Sequence, residues 1–188
     1  VSKAEFILNA QKKFALQEQY KPQPKQYVSG ETFYLQGRAL RLKVIRASKE
    51  QLYSDGVHLF LEVKDPQDFS KKERMVMRFF DRQCKEVFGE IVEELYPVFQ
   101  KYGVAVPSLR IRSMDTRWGS CLPGKGVITL NKRLLEAPRN CIEYVVMHEL
   151  CHFIHPNHSK HFYAFLSMLM PDWKERKKVL DANDTYYL

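Results

Sequence analysis

Residues 147–163 read MHELCHFIHPNHSKHFY and hold five of the chain's six histidines. Within them His148, Glu149 and His152 form the pattern H-E-x-x-H. Residues four apart lie one above the other on a helix, so both imidazoles can reach one point at about 2.0–2.1 Å, the Zn–N distance. Glu149 sits about 100° round the helix, beside that point rather than on it. There it can take a proton from a water that the metal activates, the general-base arrangement of a metallohydrolase. The flanks in YVVMHELCHFI are apolar, which places the trio on a buried helix. A buried glutamate beside two buried histidines is costly unless paired or bound to a cation. The competing reading is a hydrogen-bonded core cluster without a metal.

A hydrolytic zinc site takes three protein ligands and leaves a fourth position open. His155, His158 and His161 are the candidates for the third. His155 lies seven residues past His148, about 10.5 Å along the helix axis, and is poorly placed for a site between His148 and His152. His158 follows the turn forced by Pro156 and directly precedes Ser159, a cap for the next helix, so it can fold back. His161 lies one turn into that next helix and stays possible. A chain reversal supplies the converging geometry, which favours His158.

The elements that must position these residues can be read from patterning. Residues 3–19 have helical periodicity, and KPQPK (Lys21 to Lys25) reads as a proline-rich linker. From Tyr27 to Val63, apolar residues alternate with polar ones, and turn signals at Gly37 and Ser54–Gly56 separate the runs: a β-meander is expected. SKKE (Ser70 to Glu73) is a capping box that should start a helix running to about Phe88. A second helical stretch is expected over 90–102, broken or kinked at Pro97. LRIRSM (Leu109 to Met114) and VITLN (Val127 to Asn131) read as strands joined by a long loop. A helix should start between Pro138 and Cys141, where NCIE is a possible capping box, and end by about His155. Further helices are expected over 159–170 and from Asp172.

Beyond the histidines, RWGSC (Arg117 to Cys121), then ITLN (Ile128 to Asn131), then YVVMHEL (Tyr144 to Leu150) occur in that order, followed by Asn157-His158-Ser159 and Phe162-Tyr163. This series, strongest over about 108–165, resembles the YgjP-like family of zinc metallohydrolases, related to the SprT-like and WLM proteases. YLQGRALRLKV (Tyr34 to Val44) looks like the family's looser N-terminal half. The resemblance implies a small α+β zincin-like domain, zinc as cofactor, His148, His152 and His158 as ligands, and Glu149 as base. It does not imply a physiological substrate, because fold does not fix function. RWGSC is expected to form a loop at the cleft rim. Arg117 there can hydrogen-bond a developing oxyanion or a phosphate, or brace a carboxylate. Trp118 can wall the cleft or pack in the core.

Composition narrows the rest. The 188 residues, 45% hydrophobic, suit one metallohydrolase domain over 1–188, with a helix and β-meander over 1–65 and a helical zincin core over 66–188. No apolar run approaches the roughly 20 residues that span a bilayer, and the N-terminus does not read as a secretory signal. Cys84, Cys121, Cys141 and Cys151 form no C-x-x-C pair and read as reduced thiols of a cytoplasmic protein. The formal charge of +8, from 30 Lys+Arg against 22 Asp+Glu, favours acidic partners, although the basic residues are scattered. A solvated helix face accounts for the densest cluster, KERKK (Lys174 to Lys178). A peptide is the default substrate of the motif. Phosphoanhydride hydrolysis of nucleoside triphosphates is the runner-up, since the same nucleophile can attack phosphorus and Arg110, Arg112 and Arg117 lie on one strand and its following loop. An SprT-like, DNA-associated protease is a third reading, and nucleic acid is the most weakly supported partner. A purely structural zinc site is disfavoured, because such sites are Cys-rich with four ligands and have no use for Glu149.

Overall fold

A computed structural model gives the fold of the protein, and the structure describes residues 24–182. The helical reading of 3–19 lies outside the described residues. Among the described residues the architecture is α+β, with two small sheets and four α-helices.

The first sheet holds β1 (Thr32–Leu35), β2 (Arg38–Arg46), β3 (Gln51–Ser54) and β4 (His58–Val63). Strands β1, β2 and β4 fall on the alternating runs, β3 lies between two of them, and the order is β1-β2-β4-β3. Strand β2 pairs β4 in parallel, while β3 folds back antiparallel on β4, so the connectivity departs from a meander. Alternation fixes which side chains face inward and says nothing of which neighbour a strand takes. Leu40, Leu42, Leu59, Leu61 and Val63 are fully buried on one face, against Val76 and Phe79 of the following helix.

That helix, α1 (Phe69–Gln100), is unbroken for 32 residues. It passes through Gly89 and carries Pro97 in its last turn. Glycine costs about 1 kcal/mol in a helix. The flanking Phe88, Ile91 and Val92 are buried in the second core and offset this. Proline so close to the end removes one backbone donor from the last turn without breaking the helix. The N-cap is Asp68, whose Oδ1 accepts from the Lys71 N–H at 2.9 Å, so the Ser70 box is not used. Both hydrophobic clusters use α1, and Leu35 and Phe80 pack against both.

The second sheet has the order β5-β7-β6, from β5 (Ser108–Arg112), β6 (Gly119–Leu122) and β7 (Val127–Asn131). Strand β7 is central, parallel to β5 and antiparallel to β6. Gly119, Ser120 and Cys121, expected in a loop, are therefore an edge strand. Three residues between charged or aromatic neighbours and a proline carry too little periodicity to announce one.

A 3-10 turn over Lys132–Glu136 leads into α2 (Arg139–Cys151), the helix of the H-E-x-x-H pattern. Its N-cap position is Pro138, with no side-chain cap, so the Asn140 box is also unused. The β1–β2 hairpin braces this entry. Gln36 and Gly37, both at positive φ, form a two-residue turn whose N–H groups donate to Leu135 and Glu136 carbonyls at 2.8 and 2.9 Å. A Cβ at position 37 would sit 2.9 Å from Pro138 Cγ, so glycine is needed for the approach as well as the turn. Arg139 forks onto Glu94 of α1 with two contacts of 2.7 Å. Helices α3 (Lys160–Leu169) and α4 (Trp173–Ala182) follow. Ser159 caps α3, accepting from Phe162 N–H, and Arg176 of α4 donates to Glu143 of α2 at 2.6 Å. Among the described residues no helix is long and apolar enough to cross a membrane.

Candidate metal centre

Helix α2 ends at Cys151, a turn earlier than Pro156 required, and His152 is its C-cap. The chain then turns over 152–159, and His158 returns to face the helix it left. One nitrogen from each of His148, His152 and His158 lies within 4.8 Å of the others. His158 Nε2 is 2.8 Å from His148 Nε2. The ring centroids are 4.7–5.0 Å apart pairwise. Phe162, fully buried at the start of α3, lies 4.8–4.9 Å from all three rings and fixes their spacing from below. His152 Nδ1 lies 3.3 Å from the His155 carbonyl, which orients that ring.

Burial pulls the His148 imidazole down to about 3, and the charges of His152, His158 and Lys177 act the same way. Burial lowers His152 too, opposed by its bond to the His155 backbone. Neutral imidazole is the metal-ligating form. His148 Nδ1 is buried and finds no hydrogen-bond partner. On the opposite edge its Nε2 faces a second imidazole nitrogen at 2.8 Å, a pair that a shared cation would satisfy.

Glu149 is 6% exposed. Burial pushes its carboxyl up to about 7, opposed by the Arg117 charge. It packs against the backbone of β6: a Cβ on Gly119 would lie 2.7 Å from Glu149 Oε1 and 2.9 Å from Cγ. Gly119 was visible in RWGSC, but its use as bare backbone against the carboxylate was not. Asn131, 2% exposed, closes ITLN and pins the approach to β6. Its Nδ2 donates to the Met114 and Arg117 carbonyls at 2.7 and 3.0 Å.

Other candidates lie elsewhere. His155 and His161 stack on each other at 6.4 Å, outside the cluster. His58 pairs with Asp55 at the head of β4. Arg117 is exposed near Glu149. Trp118 is half-buried against the core, with the Arg133 guanidinium 5.9 Å from its ring. Arg110 and Arg112 share the exposed face of β5. All four cysteines are free, and burial pushes the thiols of Cys121 and Cys151 up to about 12, which disfavours the ligating thiolate.

Three imidazoles at one point, beside a buried carboxyl, are a donor set suited to a divalent metal. The chain belongs to the YgjP-like family: the model of the YgjP-like metallopeptidase domain matches residues 1–183. It is thus a hydrolase of metallopeptidase type. Two solved structures are similar over half the chain. The metallopeptidase zymogen jannalysin of Methanocaldococcus jannaschii is 22% identical, covering 50% of this chain and 88% of its own, with a TM-score of 0.44. The metallopeptidase zymogen abylysin of Pyrococcus abyssi is 20% identical, covering 53% and 93%, with a TM-score of 0.45. No curated protein matches the chain.

Proposed function

We propose that the chain is a zinc-dependent peptidase, with His148, His152 and His158 holding the metal and Glu149 as general base. The reading rests on one observation above the others: three imidazole nitrogens converge within 4.8 Å beside the buried Glu149. Zinc bound there would act as a Lewis acid and lower the pKa of its water. Glu149 takes one proton from the attacking water as its oxygen bonds to the peptide carbonyl carbon. It then passes that proton to the departing amine as the C–N bond breaks. A carboxyl raised toward 7 by burial suits both halves of that transfer. The Arg117 charge opposes that rise without cancelling it.

A peptide binds such a centre in extended form on a strand edge. VITLN, the strand nearest the metal-site helix in sequence, forms β7, which is central and offers no edge. Strand β6 is the edge that runs past Glu149, and it takes that role here. The test is a turnover screen of zinc-loaded protein on peptides and on nucleoside triphosphates, with metal content measured in parallel. Glu149-dependent peptide cleavage is expected. Phosphate or pyrophosphate release that requires Glu149 and vanishes in Arg117→Glu would overturn the reading in favour of phosphoanhydride hydrolysis.

A further inference from the structure

Helix α4 contributes something the cleavage chemistry does not use. Its residues Trp173, Lys174, Lys177, Lys178, Asp181 and Ala182 line an open groove of about 510 Å³. Trp173 forms the apolar wall, and Lys174 Nζ lies 5.7 Å from its ring. A stack of packed rings links the groove's wall to the metal-site imidazoles. Trp173 stacks on Tyr163 at 5.5 Å, and Tyr163 stacks on His158 at 6.1 Å. On the other side Trp173 stacks on Tyr144 at 6.3 Å, and Tyr144 meets His148 edge-on at 6.0 Å. Lys177 lies close enough for its charge to act on His148.

Among the described residues the groove is basic: three lysines line it with one carboxylate, Asp181, which pairs with Lys177. The neighbouring Asp172 on the same helix is taken by Arg176. A solvated face needs no tryptophan wall. The ring ladder also ties Trp173, beside these cations, to His158 of the metal site.

We infer that the groove on α4 is a subsite for a carboxylate of the peptide substrate, borne by an acidic side chain or by a free C-terminus near the cleaved bond. This rests on the peptidase reading above. Lys174, Lys177 and Lys178 bind the carboxylate electrostatically, and Trp173 covers the stem that carries it. The preference for a carboxylate over a neutral side chain should be about tenfold, the scale of a few exposed charges acting together.

The experiment measures binding and cleavage separately. Three fluorescent peptides of equal length are used: neutral and capped, capped with one glutamate, and neutral with a free C-terminus. Binding is read by fluorescence anisotropy on zinc-loaded Glu149→Gln protein, with and without Lys174→Glu, Lys177→Glu and Lys178→Glu together. The milder Lys174→Gln/Lys178→Gln pair covers the case in which the triple variant does not fold. We expect a carboxylate peptide to bind about tenfold tighter than the neutral one, and the ratio to fall to about one or invert on charge reversal. The arm that shows the preference identifies the source of the carboxylate. Equal binding of all three peptides, or a preference that survives charge reversal, overturns the subsite. So does displacement of the acidic peptide by a single-stranded oligonucleotide that binds far tighter through the same lysines. Hydrolysis of the neutral peptide by unmutated protein reports on the peptidase reading alone. A lysine-dependent binding preference without hydrolysis of any peptide would sink that reading and leave the subsite standing.

Discussion

Replacing Gly119 by alanine tests whether β6 holds Glu149 in its working position. The new Cβ would meet Glu149 Oε1 at 2.7 Å, Cγ at 2.9 Å and Cδ at 3.1 Å. Ordinary contact begins at 3.4 Å, so the carboxylate must retreat by about 0.7 Å, or the strand must move as far. The strand is held by its pairing to β7, and its approach by Asn131, so the side chain is the softer partner. A misplacement of 1 Å can cost about 10²-fold in rate. A shift of about 0.7 Å therefore predicts a kcat loss of about 10- to 100-fold, or about 1.4–2.7 kcal/mol in the barrier. Zinc content should stay at the level of the unmutated protein, because none of the three imidazoles is touched. Gly124→Ala is the control, since a Cβ there meets nothing within 4 Å. Thermal unfolding gives a second readout that needs no substrate. Overpacking should lower stability by about 1–3 kcal/mol. That loss should shrink in a Glu149→Ala background, where the clashing atoms are gone. Full kcat in a folded, zinc-loaded Gly119→Ala protein would refute the reasoning, as would a stability loss indifferent to Glu149→Ala.

Glu149→Gln should keep zinc by elemental analysis and lose turnover by several orders of magnitude; loss of the metal would make Glu149 a ligand and end the mechanism. His158→Ala should weaken zinc affinity, measured by chelator competition, more than either His155→Ala or His161→Ala, because a removed ligand costs more than the roughly 10–100-fold of a supporting partner. The Glu136 carboxyl is pushed up to about 7 by burial, against the opposing charges of Arg133 and Lys25. Its folded value lies above its unfolded one, so its contribution to stability is complete below about pH 4.5 and is lost as pH rises through about 7. Glu136→Gln should therefore flatten the fall in Tm between pH 5 and 8, by up to about 3 kcal/mol in stability; an unchanged pH profile would place Glu136 in water.

What the sequence carried and what it hid divide along physical lines. Helical spacing puts His148 and His152 on one stripe whatever the rest of the fold does, and Pro156 followed by a serine cap forces the reversal that returns His158. Both are local constraints, legible within about a dozen residues. Alternation likewise located β1, β2 and β4 of the first sheet, but not β3. The parallel pairing of β2 with β4 depends on which strand covers α1, a choice made by packing between distant segments. The unbroken course of α1 through Gly89 has the same origin, since the core on either side outweighs a local propensity.

Gly119 is the sharpest case. A glycine in a short strand can mean a bulge, a turn or a close approach, and the sequence alone does not choose among them. Here the backbone of β6 passes against a carboxylate on a helix 30 positions later. That juxtaposition makes one strand serve two ends. Its inner side confines Glu149, and its open edge runs alongside, where an extended peptide would lie. On the proposed mechanism a side chain at 119 would move the base relative to that edge, coupling proton transfer to substrate register. The reason for a bare backbone there then lies in a residue that no window of the sequence around it contains.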